Sequence, residues 1–393
     1  MISGFGLILC AVPFVLKVRP WSWIKVRAER QGKSCNMQHV YPKYFSALLL
    51  IIPVFMIASF LAGYFVYVSV HARAKIDLRI EGDWPLEADE VLGFAATRNS
   101  STIRHHVRSG LKYHLFVDSI GARVNARGQQ TPDKISILTV GGSFSWGHGI
   151  ENDKTFTEIL GHEFNVPVAN FAYGSYGTVQ SLQLLERHSN LEPKVIIYGF
   201  IAGHVERNLS PCAPSYAPYC LGVSYIAFDE KNDPYIHSPV TDYSSTFSKE
   251  YFQAVNHSDE FELGDILWGA KAVLSRIKRK FMWDYSMDKT SRQKSMVYLI
   301  KNMIQEARRI NARLVVVYIP RLEKGRTKPP PTELIETLSQ DTVFVDLSGP
   351  IIEHYSNKEN ALLRFERDGH PNYLAHELIA REISRALGTE GSL

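Results

Sequence analysis

From residue 134 onward, short apolar runs alternate with stretches whose apolar residues recur every three or four positions. Ile135 to Val140 is such a run; it ends in Gly141-Gly142 and reads as a strand meeting a tight turn. Val166 to Phe171, Val195 to Phe200, Leu314 to Ile319 (stopped by Pro320) and Val343 to Leu347 repeat the pattern. Between them, Phe156 to Phe164, Val179 to Arg187, Met296 to Ile310 and Tyr373 to Leu387 have helical spacing, the first with Asp153 as its capping candidate. Strands of this kind, alternating with helices, predict an α/β domain with a five-stranded parallel sheet covered on both faces, over residues 134–388.

Two stretches break the rhythm. Residues 209–294 are rich in Tyr, Pro, Ser and Asp. They read as an insertion or cap over the carboxyl ends of the strands, where open α/β sheets bind ligands. Residues 71–133 read as a charged, Pro-containing linker followed by an N-terminal extension of mixed character. There is no internal repeat and no low-complexity tract.

The N-terminal part has a different pattern. Tyr44 to Val70 is a run of 27 uncharged, mostly apolar residues with aromatic ends. A bilayer core needs about 20 such residues in a helix, so the run predicts a transmembrane helix that Pro53 would kink. Met1 to Leu16 is also uncharged and apolar but short, and no basic region precedes it. It fits a cleaved signal peptide badly and stays open between a short first span, a re-entrant segment and an extension.

Charge adds an orientation. The net charge is +4, but the excess sits between Lys17 and Lys43, where there are seven Lys/Arg and one acid, Glu29. Residues 1–43 thus end in a basic loop that belongs on the cytoplasmic side, and the helix over 44–70 then exits outward. Everything after His71 is expected outside the membrane. With no zinc-type Cys/His spacing and no basic-aromatic repeat, nucleic acid is not an expected partner. An apolar fraction of 45% and a charged fraction of 21% exclude global disorder.

Cysteine usage agrees with an outward domain. Cys212 and Cys220 bracket a short loop containing two prolines, which in an oxidising compartment reads as a disulfide. Loop closure of this length stabilises by roughly 2–3 kcal/mol. A metal pair is the rival, but no nearby His or Cys completes a ligand set.

Candidate chemistry lies at two predicted strand ends. A serine hydroxyl attacks well only when a base takes its proton and a third group orients that base. Ser143, in Gly141-Gly142-Ser143-Phe144-Ser145-Trp146-Gly147, directly follows a strand in a glycine frame able to expose it. A phosphate cradle would want a following Lys or a longer glycine frame, and neither is present. Immediately before the last helix stands Arg367-Asp368-Gly369-His370-Pro371-Asn372. His370 on this loop can reach a cleft, and Asp368 can accept its Nδ1 proton.

On these residues the sequence resembles the SGNH/GDSL hydrolase superfamily of esterases and acyltransferases, over roughly residues 118 to 385. Gly141-Gly142-Ser143 resembles the nucleophile block, with Gly142 in place of the usual Asp. Asn170-Phe-Ala-Tyr-Gly174-Ser-Tyr-Gly177-Thr-Val-Gln180 resembles the second block, whose glycine N–H helps form the oxyanion hole. Asp368-Gly-His370-Pro-Asn resembles the last. The third block departs: where the family has Asn-Asp, this chain has Gly203-His204, within Tyr198-Gly-Phe-Ile-Ala-Gly203-His204-Val-Glu-Arg-Asn208. The missing Asn is an oxyanion donor, and losing one such donor can cost about 2.7–4 kcal/mol in the transition state. His204 or Asn208 replaces it, or the hole rests on the Ser143 and Gly174 N–H groups, or activity is reduced. A purely structural His204 is the equal alternative to an oxyanion donor.

The resemblance implies a flavodoxin-like three-layer α/β/α domain with Ser143, His370 and Asp368 as nucleophile, base and orienting acid. No metal and no cofactor are implied. The expected activity is that of a membrane-tethered, outward-facing serine esterase, deacetylase or acyltransferase, acting on an acyl ester of a cell-surface glycan or a lipid. The competing expectation is a non-catalytic binding or assembly protein that keeps the fold.

Overall fold

The computed structural model describes residues 53–55, 57–59, 61–63, 78–106, 110–213, 221–239, 288–323, 325, 327–338, 342–357, 362–366 and 368–388. The chain divides into two compact units, residues 1–64 and 65–393. In the first, the described residues of 53–63 are helical and exposed. The rest of the expected membrane helix over 44–70, and all of 1–43, lies outside the described residues. Among the described residues no helix is long and apolar enough to cross a membrane.

In the second unit, strands β1 (Leu78–Gly82), β2 (Leu86–Asp89), β3 (Gly93–Ala96), β4 (Ser100–His106), β5 (Leu111–Val117) and β6 (Arg123–Val124) come first. The α/β part follows with β7 (Ile137–Gly141), β8 (Val168–Asn170) and β9 (Val195–Phe200). A hairpin of β10 (Tyr225–Phe228) and β11 (Pro234–His237), then β12 (Arg313–Tyr318) and β13 (Val343–Asp346), are the remaining strands among the described residues. The helices are α1 (Ser143–Trp146), α2 (Phe156–Phe164), α3 (Thr178–Arg187), α4 (Gly203–Arg207), α5 (Lys289–Arg309), α6 (Thr332–Ile335), α7 (Ser348–Asn357) and α8 (Tyr373–Gly388).

The central sheet is mixed and runs β1-β4-β5-β6-β8-β7-β9-β12-β13. Its five strands from β8 to β13 are parallel and occupy the five apolar runs expected from the sequence. Every residue of β7 and β9 is buried, because helices cover both faces. One core layer joins β7 and β9 to α3 and α5, through Val140, Tyr198, Val179 and Leu299 among others. The opposite layer joins the same strands to α2 and α8 through Ile137, Ile197, Leu160 and Ile379.

Among the described residues the sheet has nine strands, not five. The stretch expected to be linker and extension supplies β1, β4, β5 and β6, all antiparallel, and β6 joins the parallel part through Arg123 opposite Asn170. Strand β4 escapes a search for apolar runs because its inward residues are Ser100, Thr102 and Arg104. Arg104 is accommodated by a hydrogen bond to the Tyr173 hydroxyl at 2.9 Å. The β2–β3 hairpin caps the same region: Tyr173 donates to the Pro85 carbonyl (2.8 Å) and Tyr176 to that of Phe94 (2.6 Å). The cap of α2 is Thr155, which accepts from the Glu158 N–H, rather than Asp153. Most of the 209–294 stretch lies outside the described residues.

Candidate active site

Strand β7 delivers the chain to Gly141-Gly142, and Ser143 opens the single turn of α1. The Gly142 carbonyl accepts from Ser145 N–H (3.1 Å) and Trp146 N–H (3.0 Å), while the Ser143 N–H finds no acceptor among the described residues. Two buried side chains hold this turn. Asn170, at the end of β8, donates to the Ser145 carbonyl at 3.0 Å and accepts from Ala172 N–H at 3.1 Å. Arg123 donates to the carbonyls of Trp146 (2.5 Å) and Gly147 (2.8 Å), serving the carbonyl end of α1. Burial lowers the Arg123 pKa to about 10.

The last block approaches from the start of α8. Asn372 caps that helix, accepting from Ala375 N–H at 3.2 Å and donating to the Leu362 carbonyl at 2.6 Å. The loop folds back, with Phe365 N–H bonded to the His370 carbonyl (3.2 Å). His370 Nε2 then lies 2.9 Å from Ser143 Oγ. Its Nδ1 is hydrogen-bonded to Asp368 Oδ1, which also accepts the His370 backbone N–H at 2.9 Å. Asp368 fixes the proton on Nδ1 and leaves the Nε2 lone pair toward Ser143. Three residues separated by up to 227 positions thus meet, with Ser143 only 8% exposed.

Burial by itself would raise the Asp368 pKa. Hydrogen bonds from His148 and His370 outweigh it and hold the carboxyl well below the usual carboxylate range. His148 has no counterpart in the sequence reading. Its ring lies 4.1 Å from that of His370, and its Nε2 is 3.6 Å from Asp368 Oδ2. Its Nδ1 is 3.5 Å from the Tyr113 hydroxyl. The placement comes from the turn after α1: His148 N–H bonds the Ser143 carbonyl at 3.2 Å, and Gly147 and Gly149 flank it with φ of +81° and +91°. A side chain at 149 would meet Phe365 at 2.6 Å. Burial, then the neighbouring His370, lowers the His148 pKa to about 3, so its ring is neutral.

Of the expected oxyanion donors, Gly174 lies in the loop after β8, and its N–H, like that of Ser143, finds no acceptor among the described residues. Asn208 is taken up elsewhere. Its Oδ1 accepts Thr178 N–H at 2.7 Å at the start of α3, and its Nδ2 donates to Thr178 Oγ1 at 2.9 Å. His204, fully buried on α4, places Nδ1 2.8 Å from the Tyr198 hydroxyl. That hydroxyl donates to Thr178 Oγ1 at 2.8 Å, so it accepts from His204 Nδ1–H. Burial, reinforced by Arg207, keeps His204 from taking a second proton. Its Nε2 therefore carries a lone pair rather than a donor.

That nitrogen faces Gly142. A β-carbon on Gly142 would stand 2.9 Å from His204 Nε2 and 3.1 Å from Arg207 Nη1. Gly142 and His204 thus share one space, which a larger residue at 142 would contest. Arg207 also donates to the Tyr176 carbonyl at 2.9 Å, tying α4 to the second block.

Cys212 is disulfide-bonded; Cys220 lies outside the described residues.

No family model matches the sequence, and no curated protein matches it. Among solved structures the chain is similar to a lipolytic protein of the G-D-S-L family from Desulfitobacterium hafniense. There the identity is 12% over 64% of this chain and 99% of that one, with a TM-score of 0.34. It is also similar to an acylhydrolase from Bacteroides fragilis, at 12% identity over 66% of this chain and 91% of that one, TM-score 0.32. A family 2 carbohydrate esterase from Corynascus thermopiles is 13% identical over 79% of this chain and 89% of that one, TM-score 0.33.

Proposed function

We propose that this chain is a serine esterase or acyltransferase of the SGNH/GDSL kind, acting on ester-linked acyl groups. The observation that carries the reading is the line from Ser143 Oγ through His370 to Asp368, with 2.9 Å between Oγ and Nε2. Ser143 Oγ attacks the ester carbonyl while its proton passes to His370 Nε2. Asp368 stabilises the resulting imidazolium. The N–H groups of Ser143 and Gly174 receive the oxyanion, and the leaving alcohol takes the proton back from His370. The acyl-Ser143 is then opened by a second hydroxyl, with His370 again as base. Water makes the enzyme an esterase or deacetylase; a sugar hydroxyl makes it a transferase.

A membrane tether facing this chemistry outward belongs to the same proposal. It is supported by the basic run from Lys17 to Lys43 followed by the uncharged run from Tyr44 to Val70. An acylated surface glycan or a lipid ester is within reach of such a tether.

A second reading, a binding protein that keeps the fold without turnover, is favoured by Gly203 standing where an oxyanion Asn is expected. Turnover of a short-chain acyl ester separates the two. Ser143→Ala and His370→Ala should each abolish it, with the double variant little worse, because such residues act as one unit. Full activity in Ser143→Ala would move the assignment to the binding protein.

A further inference from the structure

We propose that His106, His148 and Asp368 form a divalent-cation site, suited to Zn2+, whose occupation silences Ser143. One candidate ligand atom from each residue lies within 4.8 Å of the other two, and all three side chains are half-buried. They come from three separate places: the end of β4, the turn after α1 and the loop before α8. The sequence spacing, with 220 positions between His148 and Asp368, hides the set from any search for metal motifs.

One of the spacings already matches that of two ligands on one ion. His148 Nε2 and Asp368 Oδ2 are 3.6 Å apart, so an ion between them would take the place of the proton they share. Two ligand atoms on a tetrahedral ion with bonds of about 2.0–2.1 Å stand about 3.4 Å apart. The His106 and His148 rings approach edge to face, centroids 4.6 Å apart.

Outer partners are already in place. A ligating histidine usually engages its other ring nitrogen, and a ligating carboxylate its other oxygen, with a second group. Here His148 Nδ1 faces the Tyr113 hydroxyl at 3.5 Å, and Asp368 Oδ1 is hydrogen-bonded to His370. Two imidazoles and one carboxylate with a fourth position left to water suit Zn2+.

The consequence for turnover rests on the esterase reading; binding does not. A cation on Oδ2 neutralises the carboxylate that stabilises the His370 imidazolium, so the ion opposes catalysis.

Two measurements on the full chain test this. Co2+ should bind once per chain with tetrahedral visible bands, and Zn2+ should displace it. Zn2+ should also inhibit ester turnover, and a chelator should restore it. His106→Ala and His106→Asn should keep turnover yet lose tenfold or more in affinity for both ions. Folded wild-type protein without Co2+ binding overturns the proposal, as does binding indifferent to both His106 variants. Binding that depends on His106 in a chain without ester turnover upholds the site and sinks the esterase reading instead.

Discussion

Gly142 faces His204 so closely that a β-carbon on the glycine would stand 2.9 Å from Nε2 of the fully buried imidazole. His204 cannot withdraw without losing Tyr198, to which its Nδ1 is bonded at 2.8 Å. Gly142→Ala, or Gly142→Asp with the residue usual in the related block, should therefore destabilise by about 1–3 kcal/mol, the cost of overpacking. The turn beneath Ser143 should shift with it. His204→Ala should relieve part of this, so a double-variant cycle should show coupling of about 0.5–3 kcal/mol. Urea unfolding of the four proteins reads it; a Gly142→Ala protein as stable as wild type contradicts it.

His204 in turn should be a structural residue. With its Nδ1 proton given to Tyr198, it has none to offer an oxyanion. A folded His204→Ala protein should lose activity only in proportion to stability. A drop in kcat of roughly 10²–10³ at unchanged KM, the scale of one oxyanion donor, would overturn the tautomer.

What could be read from sequence depended on where the information lay. The five parallel strands were legible because β7 and β9, buried on both faces, had to be apolar throughout. Ser143, Asp368 and His370 were legible because each sits in a short motif at an element boundary, where glycine, proline and Asn372 mark the turn. Strand β4 was not, because it buries Thr102 and Arg104, which the Tyr173 hydroxyl and the Asp83 carbonyl make tolerable only after folding. Nor was His148: a histidine between two glycines is locally featureless, and its partners Tyr113 and Asp368 arrive from 35 and 220 positions away. The capping error at α2 was local, since Asp153 and Thr155 are both good caps and only geometry selects Thr155.

Asp368→Asn should leave the fold and KM nearly intact and lower kcat by roughly 10²–10⁴. The amide can still meet His370, but the negative charge that stabilises the imidazolium is gone. Steady-state kinetics on one ester decide this, and an Asp368→Asn enzyme with wild-type kcat would remove Asp368 from the mechanism.

Acid should unfold the domain through its buried histidines. Burial is the main cause that lowers the pKa of His148, His188 and His376 to about 3, against 6.5 in a free side chain. Below pH 6.5 the unfolded chain gains protons that the folded chain refuses. Stability is therefore full above that value and falls as pH drops toward 3, by about 1.4 kcal/mol per pH unit for each histidine. The depressed Asp368 pKa adds loss in the same direction at the acid end. His188→Gln, removing the imidazole stacked 3.8 Å from Phe171, should flatten the slope by up to that amount. Urea unfolding at pH 7, 6 and 5 checks it, and equal stability at all three values contradicts it.

The central claim is that His370 makes Ser143 a nucleophile across the 2.9 Å between Nε2 and Oγ. A fluorophosphonate reacts with a serine only when its hydroxyl is activated in this way. Treated with the reagent and mapped by mass spectrometry, the folded chain should carry the adduct on Ser143 alone. The adduct should be absent from folded His370→Ala protein. Folded wild-type protein that stays unlabelled at Ser143, or labelling that persists without His370, would contradict the account.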